Sequence, residues 1–555
     1  MYFYNKIILN FIIKLLEYII KSKKFDTYYI IMYQIQIHKR DYSSYDIIPS
    51  TEIIINPFQE KLFHNDTFSL LDEKIERKES IIRKQKKIQG ILILQNNKTY
   101  GSYSKRLLYK CVPNEINLPH FLIPYTQKYN FQKTFTNLFI NFEFKEWEGK
   151  HPIGTIVDII GPVDDNPSLF EYELYCKNLQ YSLNNFNKAI LPILPPNQTN
   201  LQEGPFIFTI DPDGCTDFDD AFSVDNEKIC IYISNVPLFF EKMGITGWNV
   251  FSLQKRISTI YLPHTKKPLL PNILSDDLCS LKQCNWRETL VMEINKENII
   301  FYNKCVYISH NFIYEEPNLL YHSHYQLLLE KGKQLLSNYP YIESINDSHD
   351  IVSFFMIFMN HQVGLRLTSG IFRVTEENNN NTNVSLKPFL HNWNSNYSGL
   401  YTFCDKKKRE KVFHSALKLE YYTHITSPIR RVVDIINLIL FQQEMKLFPF
   451  SLSAIKFVEK WIKQIEYINE SFHLIKKIQN KCNFIHSIQN QTNISGYLFE
   501  REKDTYSVYL PSLKIVYYLK SFDDMELFKE YNFCIHVFED EDKMKRRIRL
   551  VNHML

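Results

Sequence analysis

Apolar positions along the chain follow two rhythms, a helical one and a strand-like alternation. Near the N-terminus, "NKIILNFIIKLLEYIIKSKK" is apolar but broken by Lys14 and Glu17. Its unbroken apolar stretches fall far short of the ~20 residues of a membrane-spanning helix. An amphipathic docking helix is expected there, with a targeting segment as the alternative. Residues 48–71 read as short strands and "DEKIERKESIIRKQKK" as a charged surface helix or linker. "IQGILILQNNKTYGSYSKRLLYKCVP" then alternates around Asn96-Asn97, which predicts strand, turn and strand, and "HPIGTIVDIIGPV" adds a further strand pair. Together they predict a small antiparallel barrel over 85–160, closed off by the Pro-marked link "ILPILPPNQTN". From Gly204 to about Gln491 strands and long helical patterns mix around a polar loop, "EENNNNTNVS" (Glu376 to Ser385). "ISGYLFEREKDTYSVYLPSLKIVYYLK" alternates again and runs into the basic "KMKRRIRL", a second kind of small barrel.

With 555 residues the chain exceeds one hydrophobic core, so several domains are expected. The pattern is that of a multidomain α+β protein, a large mixed α/β domain flanked by small β modules. Lys and Arg (65) nearly balance Asp and Glu (61), so any basic surface for a polyanion must be local. Ten cysteines show no paired CxxC spacing, and the closest pair, Cys279 and Cys284, lacks His or Cys neighbours for zinc. They read as reduced core thiols of an intracellular protein.

Two short stretches carry the chemistry. "FIFTIDPDGCTDFDDAFSV" places five aspartates between two apolar runs; "FIFTI" reads as a buried strand broken by Pro212 and Gly214, and "KICIYISNV" as the next strand. Asp211, Asp217, Asp219 and Asp220 can converge in such a connection, and crowded carboxylates call for a cation. Hard divalent metals take carboxylate oxygens and leave positions for water and phosphate. An EF-hand beginning at Asp211 fails, because Thr216 and Phe222 stand where its Gly and Glu belong. "FTIDPDG" also resembles the strand-end DxD of haloacid-dehalogenase phosphatases, but Cys215 and a strand follow where a hydroxyl and a helix are expected. A solvated acidic loop is the plain alternative.

The second stretch is "YYTHITSPIRRVVDIINLILFQQEM". Ser427 as N-cap and Pro428 at the first helical position predict a helix with Arg430 and Arg431 in its first turn. Cations there oppose the helix dipole, so an anion should compensate them. Asp434, one turn on, supplies part of it; a phosphate held by backbone N–H groups and two guanidinium forks supplies the rest.

"DPDGCTDFDDA" with "YTHITSPIRR" resembles the ribonuclease II (RNB) family of 3′→5′ exoribonucleases, as do "ISTIYLPHTKKPLLPNILSDDLCSL" and "FIYEEP" between them. "GCTD", "YTFC" (Tyr401 to Cys404) and "NNKTYGSY" are most similar to the catalytic exoribonuclease subunit of the eukaryotic RNA exosome. The resemblance, which runs from about residue 85 to the end, implies a central RNB catalytic domain flanked by β-barrels of the cold-shock and oligonucleotide-binding (OB) type. Its boundaries are an extension over 1–47, a degenerate first cold-shock barrel over 48–80, a second over 85–165, a linker over 166–203, the catalytic domain over 204–491 and an OB-type barrel over 492–555. It implies that Asp211, Asp217, Asp219 and Asp220 hold Mg²⁺, or Mn²⁺ in its place, with Asp219 indispensable, and that Arg430 contacts the scissile phosphate. Tyr261 and Tyr314 match tyrosines that stack 3′-terminal bases, and Arg373 and Arg431 join them as RNA contacts. Implied partners are single-stranded RNA and the exosome core, with no membrane; the implied compartment is the nucleus, or else the cytoplasm.

The chain departs from the family pattern in places. Ser353 and Phe354 replace a Glu pair, Phe372-Arg373-Val374-Thr375 stands for "RRH", and Asn437-Leu438 for "HR". No room is seen upstream for an endonuclease (PIN) domain, so exonuclease activity alone is expected. The departures also leave open a catalytically silent RNA-binding or exosome-scaffolding protein. "RKQKK" (Arg83 to Lys87) and "KMKRRIR" (Lys543 to Arg549) are candidate entry contacts for RNA, or else solvated faces.

Overall fold

A computed structural model describes residues 31–51, 54–71, 74–126, 135–195, 204–296, 298–375, 399–408, 410–488, 493–513, 515–521, 524–540 and 545–552. The N-terminal apolar helix, the polar loop at Glu376 to Ser385, the last five residues of the Pro-marked link and the side chains of Lys543 to Arg549 lie outside the described residues. The chain divides into two compact units: Met1–Tyr172 with Asp540–Lys545, and Glu173–Glu539 with Arg546–Leu555. Among the described residues no helix is long and apolar enough to cross a membrane.

In the first unit, strands β1 (Met32–Ile37), β2 (Tyr45–Ile48), β3 (Thr67–Leu71) and β4 (Lys74–Glu79) form a sheet in the order β2-β1-β3-β4. This sheet begins well ahead of residue 48. The charged stretch expected as a surface helix or linker is instead edge strand β4, paired along β3 and mostly exposed, followed by a single helical turn at Ile81–Lys84. Charged side chains suit an edge that must not pair further.

Strands β5 (Ile88–Leu92), β6 (Ser102–Tyr103), β7 (Arg106–Pro113), β8 (Phe121–Tyr125), β9 (Leu138–Glu146) and β10 (Ile153–Pro162) follow in the order β5-β9-β10-β8-β7-β6. Pairing of β5 with β7 closes five of them into a barrel, in which β8 and β10 run parallel. "HPIGTIVDIIGPV" is thus one strand rather than two. Three register shifts along β10 let it bend around the barrel without a turn. Of the basic stretch, Arg83 lies over the rings of Phe63 and Phe144 and Lys87 pairs with Asp158, so both are engaged within the fold.

Within the stretch read as a linker, a helix over Asn166–Cys176 runs from the first unit into the second, and another occupies Asn184–Ile190 in the second. The central sheet follows: β11 (Phe208–Asp211), β12 (Asp220–Val224), β13 (Ile229–Ser234), the short hairpin β14 (Ile260–Leu262) and β15 (Thr265–Lys267), then β16 (Asn285–Ile294), β17 (Ile299–Ile308) and β18 (His310–Ile313). Its order is β17-β16-β13-β12-β11-β18, with the hairpin outside it. Strand β13, "ICIYIS", is buried at every position because both faces of the sheet are covered. On one face Phe222, Ile231, Ile233 and Met292 share a core with Phe355, Phe358, Leu438 and Phe441. These come from helices α1 (Ser348–Arg366) and α2 (Val432–Glu444). On the other face Ala221, Tyr232, Val291 and Val306 form a smaller cluster.

Beside α2 lies a two-stranded ribbon, β19 (Ser369–Val374) with β20 (Leu400–Asp405), the latter carrying "YTFC". Asn437, at 0% exposure, fastens that ribbon to the helix. Its amide accepts from Ile371 N–H at 2.9 Å and donates to Ile371 C=O, Thr423 Oγ1 and His424 C=O at 2.9, 2.7 and 3.0 Å. Asn437→Ala therefore strands several buried polar groups at once, at roughly 1–3 kcal/mol each, and urea unfolding is expected to show a loss of about 3 kcal/mol or more. Beyond residue 492, five strands (Asn493–Glu502, Thr505–Leu510, Ile515–Lys520, Glu530–Asp540, Lys545–Asn552) build one sheet.

Candidate active site

The aspartates sit where β11 ends and β12 begins. Pro212 has no N–H for the ladder, and Gly214 takes φ +73°, so the chain leaves the sheet as an irregular turn. Ser280 fixes that turn by accepting from Phe218 N–H at 3.0 Å and donating to Thr216 C=O at 2.9 Å. Ser234 N–H donates to Asp219 C=O at 2.9 Å, and Tyr314 N–H to Asp211 C=O at 3.0 Å. Asp217, Asp219 and Asp220 are buried and Asp211 is half-buried, while Asp213 faces solvent.

Residues 427–432 arrive from 211 positions away. Helix α2 starts at Val432, so Arg430 and Arg431 precede it rather than occupy its first turn. The Ser427–Arg431 stretch is a turn, closed by Arg431 N–H on Ser427 C=O at 3.0 Å. Local capping signals lose to a distant acceptor: Asp219 takes Ile429 N–H at 2.8 Å on Oδ1 and Arg430 Nε at 3.0 Å on Oδ2. Arg430 thereby pairs with Asp219, not with Asp434. Its side chain remains 45% exposed, and its two terminal nitrogens have no protein partner among the described residues. Arg431 turns inward to Asp434, with Nε 2.8 Å from Oδ2 and Nη2 2.8 Å from Oδ1; Asp434 also caps Ser427 N–H. The two arginines therefore differ, one poised at the surface and one spent on the fold.

The hairpin joins both stretches. Thr259 N–H and Ser258 Oγ donate to Arg430 C=O at 2.9 and 3.0 Å. Tyr261 Oη donates to Asp217 Oδ2 at 2.7 Å while its residue stays 38% exposed. Tyr314 stacks on His349, with centroids 3.8 Å apart. Arg373 stands farther along the ribbon, its guanidinium 4.7 Å above Tyr401. The structure thus gathers Asp211, Asp217, Asp219, Asp220, Arg430, Tyr261 and Tyr314 around one turn; Arg431 lies behind it and Arg373 in the neighbouring network.

Burial raises the carboxylates. Asp219 reaches about 7, because burial outweighs the attraction of Arg430 and the Ile429 N–H bond. Asp211 reaches about 6 through burial, with Asp217 adding repulsion, and Asp220 rises well above the usual range through burial, Asp211 and Asp219. Burial also pushes Tyr314 up, helped by Asp220 and Asp211. An acid raised in the fold gives up its proton more easily when unfolded, so folding loses ground as pH climbs from about 4 to about 7. For Asp219 that loss is on the order of 4 kcal/mol. Urea unfolding in a chelator at pH 5 and pH 8 is expected to show the wild type losing stability with rising pH. The loss should be smaller in Asp219→Asn, and Mg²⁺ should offset it in the wild type by preferential binding to the folded chain.

Among the described residues no three His, Cys, Asp or Glu side chains stand as a ready ligand set for one ion. Asp217 and Asp219 already have both oxygens engaged. Asp211 and Asp220 do not: Asp211 Oδ2 is buried with no hydrogen-bond partner, and Asp220 repels it. Two carboxylates, with water and substrate phosphate completing the shell, are what Mg²⁺ usually takes, so the donor set fits. Sequence reasoning missed Ser280, His349 and Lys266, which meet the aspartate-turn backbone, the Tyr314 ring and Asp217, since a polar residue in a turn, at a helix start or in a hairpin carries no signal of which distant group it will meet.

The family model described as RNB domain matches residues 198–316 and 318–446, a little under half of the chain, so the chain carries an RNB domain there. Among curated proteins, Ribonuclease R of Helicobacter pylori is 35% identical over 131 residues, 22% of this chain and 19% of that one. The Exosome complex exonuclease RRP44 homolog A of Arabidopsis thaliana is 27% identical over 152 residues, 24% and 16% of the two chains. The matched stretches thus span under a fifth of either relative. Mycoplasma genitalium RNase R, solved in complex with ribose-methylated single-stranded RNA, shares the fold at a TM-score of 0.64 and 14% identity, covering 94% of this chain and 100% of that one.

Proposed function

We propose that this protein is a hydrolytic 3′→5′ exoribonuclease that shortens single-stranded RNA and releases nucleoside 5′-monophosphates processively. The observation that carries the reading is the bond between Asp219 and Arg430, which sets a half-exposed guanidinium fork beside the acidic turn. Asp211 and Asp220 would hold Mg²⁺, or Mn²⁺ in its place, which supplies Lewis-acid polarisation of the phosphate when bound. Arg430 keeps Nε on Asp219 and offers its two terminal nitrogens to a phosphate as a planar fork. The exposed Tyr261 ring offers a stacking face that suits any base, as a sequence-indifferent nuclease requires. The single-stranded RNA with which Mycoplasma genitalium RNase R was solved supports the substrate class.

A finer reading makes the chain a relative or derivative of the exosome's catalytic subunit, with core subunits as partners and a nuclear site. It rests on the "GCTD" text and the match to the Arabidopsis protein.

The test is a single-stranded RNA labelled at its 5′ end, with the same RNA blocked at its 3′ end and a matching DNA beside it. A ladder descending from the 3′ end of the unblocked RNA alone is expected. Cleavage from the 5′ end, or equal use of DNA, contradicts the reading; binding of RNA without any shortening returns the chain to the scaffold class.

A further inference from the structure

Across the small hairpin, Tyr261 and Lys266 are directly paired, and both reach the same carboxylate. Tyr261 Oη donates to Asp217 Oδ2 at 2.7 Å and Lys266 Nζ to Asp217 Oδ1 at 2.9 Å. Lys266 is itself held from behind by Asp276 Oδ1 at 2.8 Å and by Thr216 Oγ1 at 2.5 Å. Asp276 belongs to a single wide, π-type helical turn at Leu274–Leu278, closed by Cys279 N–H on Leu274 C=O at 2.9 Å. Two three-residue strands make a hairpin that has little stability of its own. Its near end is tied through Thr259 N–H to Arg430 C=O. Asp217 is buried, so the two bonds it accepts form away from bulk water, where charge-assisted hydrogen bonds are strongest.

We propose that Lys266 is a positioning residue: with Tyr261 it clasps Asp217, locking the hairpin onto the aspartate turn so that the exposed Tyr261 ring becomes a fixed stacking face for the terminal base of the RNA. On this inference Asp217 serves as the hasp of a latch, and Lys266 and Asp276 set substrate grip without touching substrate. Burial disfavours the Lys266 charge, but the bonds to Asp276 and Asp217 more than compensate, and its pKa rises. The stacking role rests on the exoribonuclease reading; the clasp does not.

The test therefore has two arms. Amide hydrogen exchange over residues 260–267 of the free full-length protein reads the clasp without RNA. Lys266→Met, and Asp276→Asn as a milder second variant, are expected to speed exchange there about tenfold, since a bond to a charged group is lost. Lys266→Arg, which keeps a donor, should restore most of the protection. Michaelis kinetics on an RNA oligonucleotide read its use: KM is expected to rise about tenfold in Lys266→Met with kcat within about twofold, the signature of lost uniform binding. Unchanged exchange in both variants overturns the clasp. Faster exchange with unchanged KM, or an equal fall in kcat, overturns its role in gripping RNA. If the wild type leaves RNA intact, the exoribonuclease reading and the stacking role fall together, while the exchange arm still decides the clasp.

Discussion

Asp219→Asn is expected to cut single-turnover cleavage of RNA by about 10³-fold or more while leaving RNA affinity within a few-fold. Two of its losses fall at the same place. The amide still accepts from Ile429 N–H on its oxygen, so the turn at 427–431 keeps its anchor. Its nitrogen, however, now faces Arg430 Nε, donor against donor, and the guanidinium loses the partner that aims it. A negative charge also disappears beside Asp211 and Asp220, which lowers the pull of the site on a cation. Asn is isosteric and uncharged, and Asp219 is only 3% exposed, so the fold should tolerate the change and gain stability at neutral pH. A variant that binds RNA, unfolds no earlier than the wild type and cleaves nothing is the expected outcome. Filter binding and rapid-quench cleavage on one preparation check it.

Arg430→Lys should lower kcat/KM by about 10²-fold although the charge is kept. An ammonium on a flexible stem cannot hold Asp219 and also present two coplanar donors to a phosphate. Because Arg430 and Asp219 act as a unit, the double variant is expected to be scarcely slower than Asp219→Asn alone. Arg431 provides the contrast. Its guanidinium is committed to Asp434, which is fully buried and caps Ser427 N–H. Arg431→Met leaves that carboxylate unpaired, so its cost should appear as about 3–5 kcal/mol of stability rather than as a lower rate in the folded fraction.

Much of the site was legible because its signals are local. Pro212, Gly214 and the flanking apolar runs bound the aspartate turn within a dozen residues, and a buried strand falls where "FIFTI" places it; the next strand, however, begins at once in "DAFSV", ahead of the expected "KICIYISNV". The complementary chemistry of the acidic turn and the arginine turn suggested one phosphate between them, but the direct bond from Arg430 to Asp219 was not legible, since nothing in a single sequence states that positions 211 apart will bond. Ser427-Pro428 is a sound helix start by itself, yet tertiary bonds to Asp219 and to Ile257 C=O hold Ile429 to Val432 in another shape and delay the helix. Composition misled in "DEKIERKES", where pairing with β3 overrides a charged, helix-favouring stretch. Asn437 read only as a departure from the family pattern; folded, it is a fully buried hub.

The central claim is that the aspartate turn and the Arg430 turn form one hydrolytic centre for the 3′ end of RNA. Mononucleotide release from a single-stranded RNA, followed for wild type and Asp219→Asn side by side in Mg²⁺ and in chelator, tests it most directly. The account predicts nucleoside 5′-monophosphates from the wild type in Mg²⁺ and from no other sample. Release that persists in Asp219→Asn, or a folded wild type that leaves the RNA intact in Mg²⁺, would contradict it.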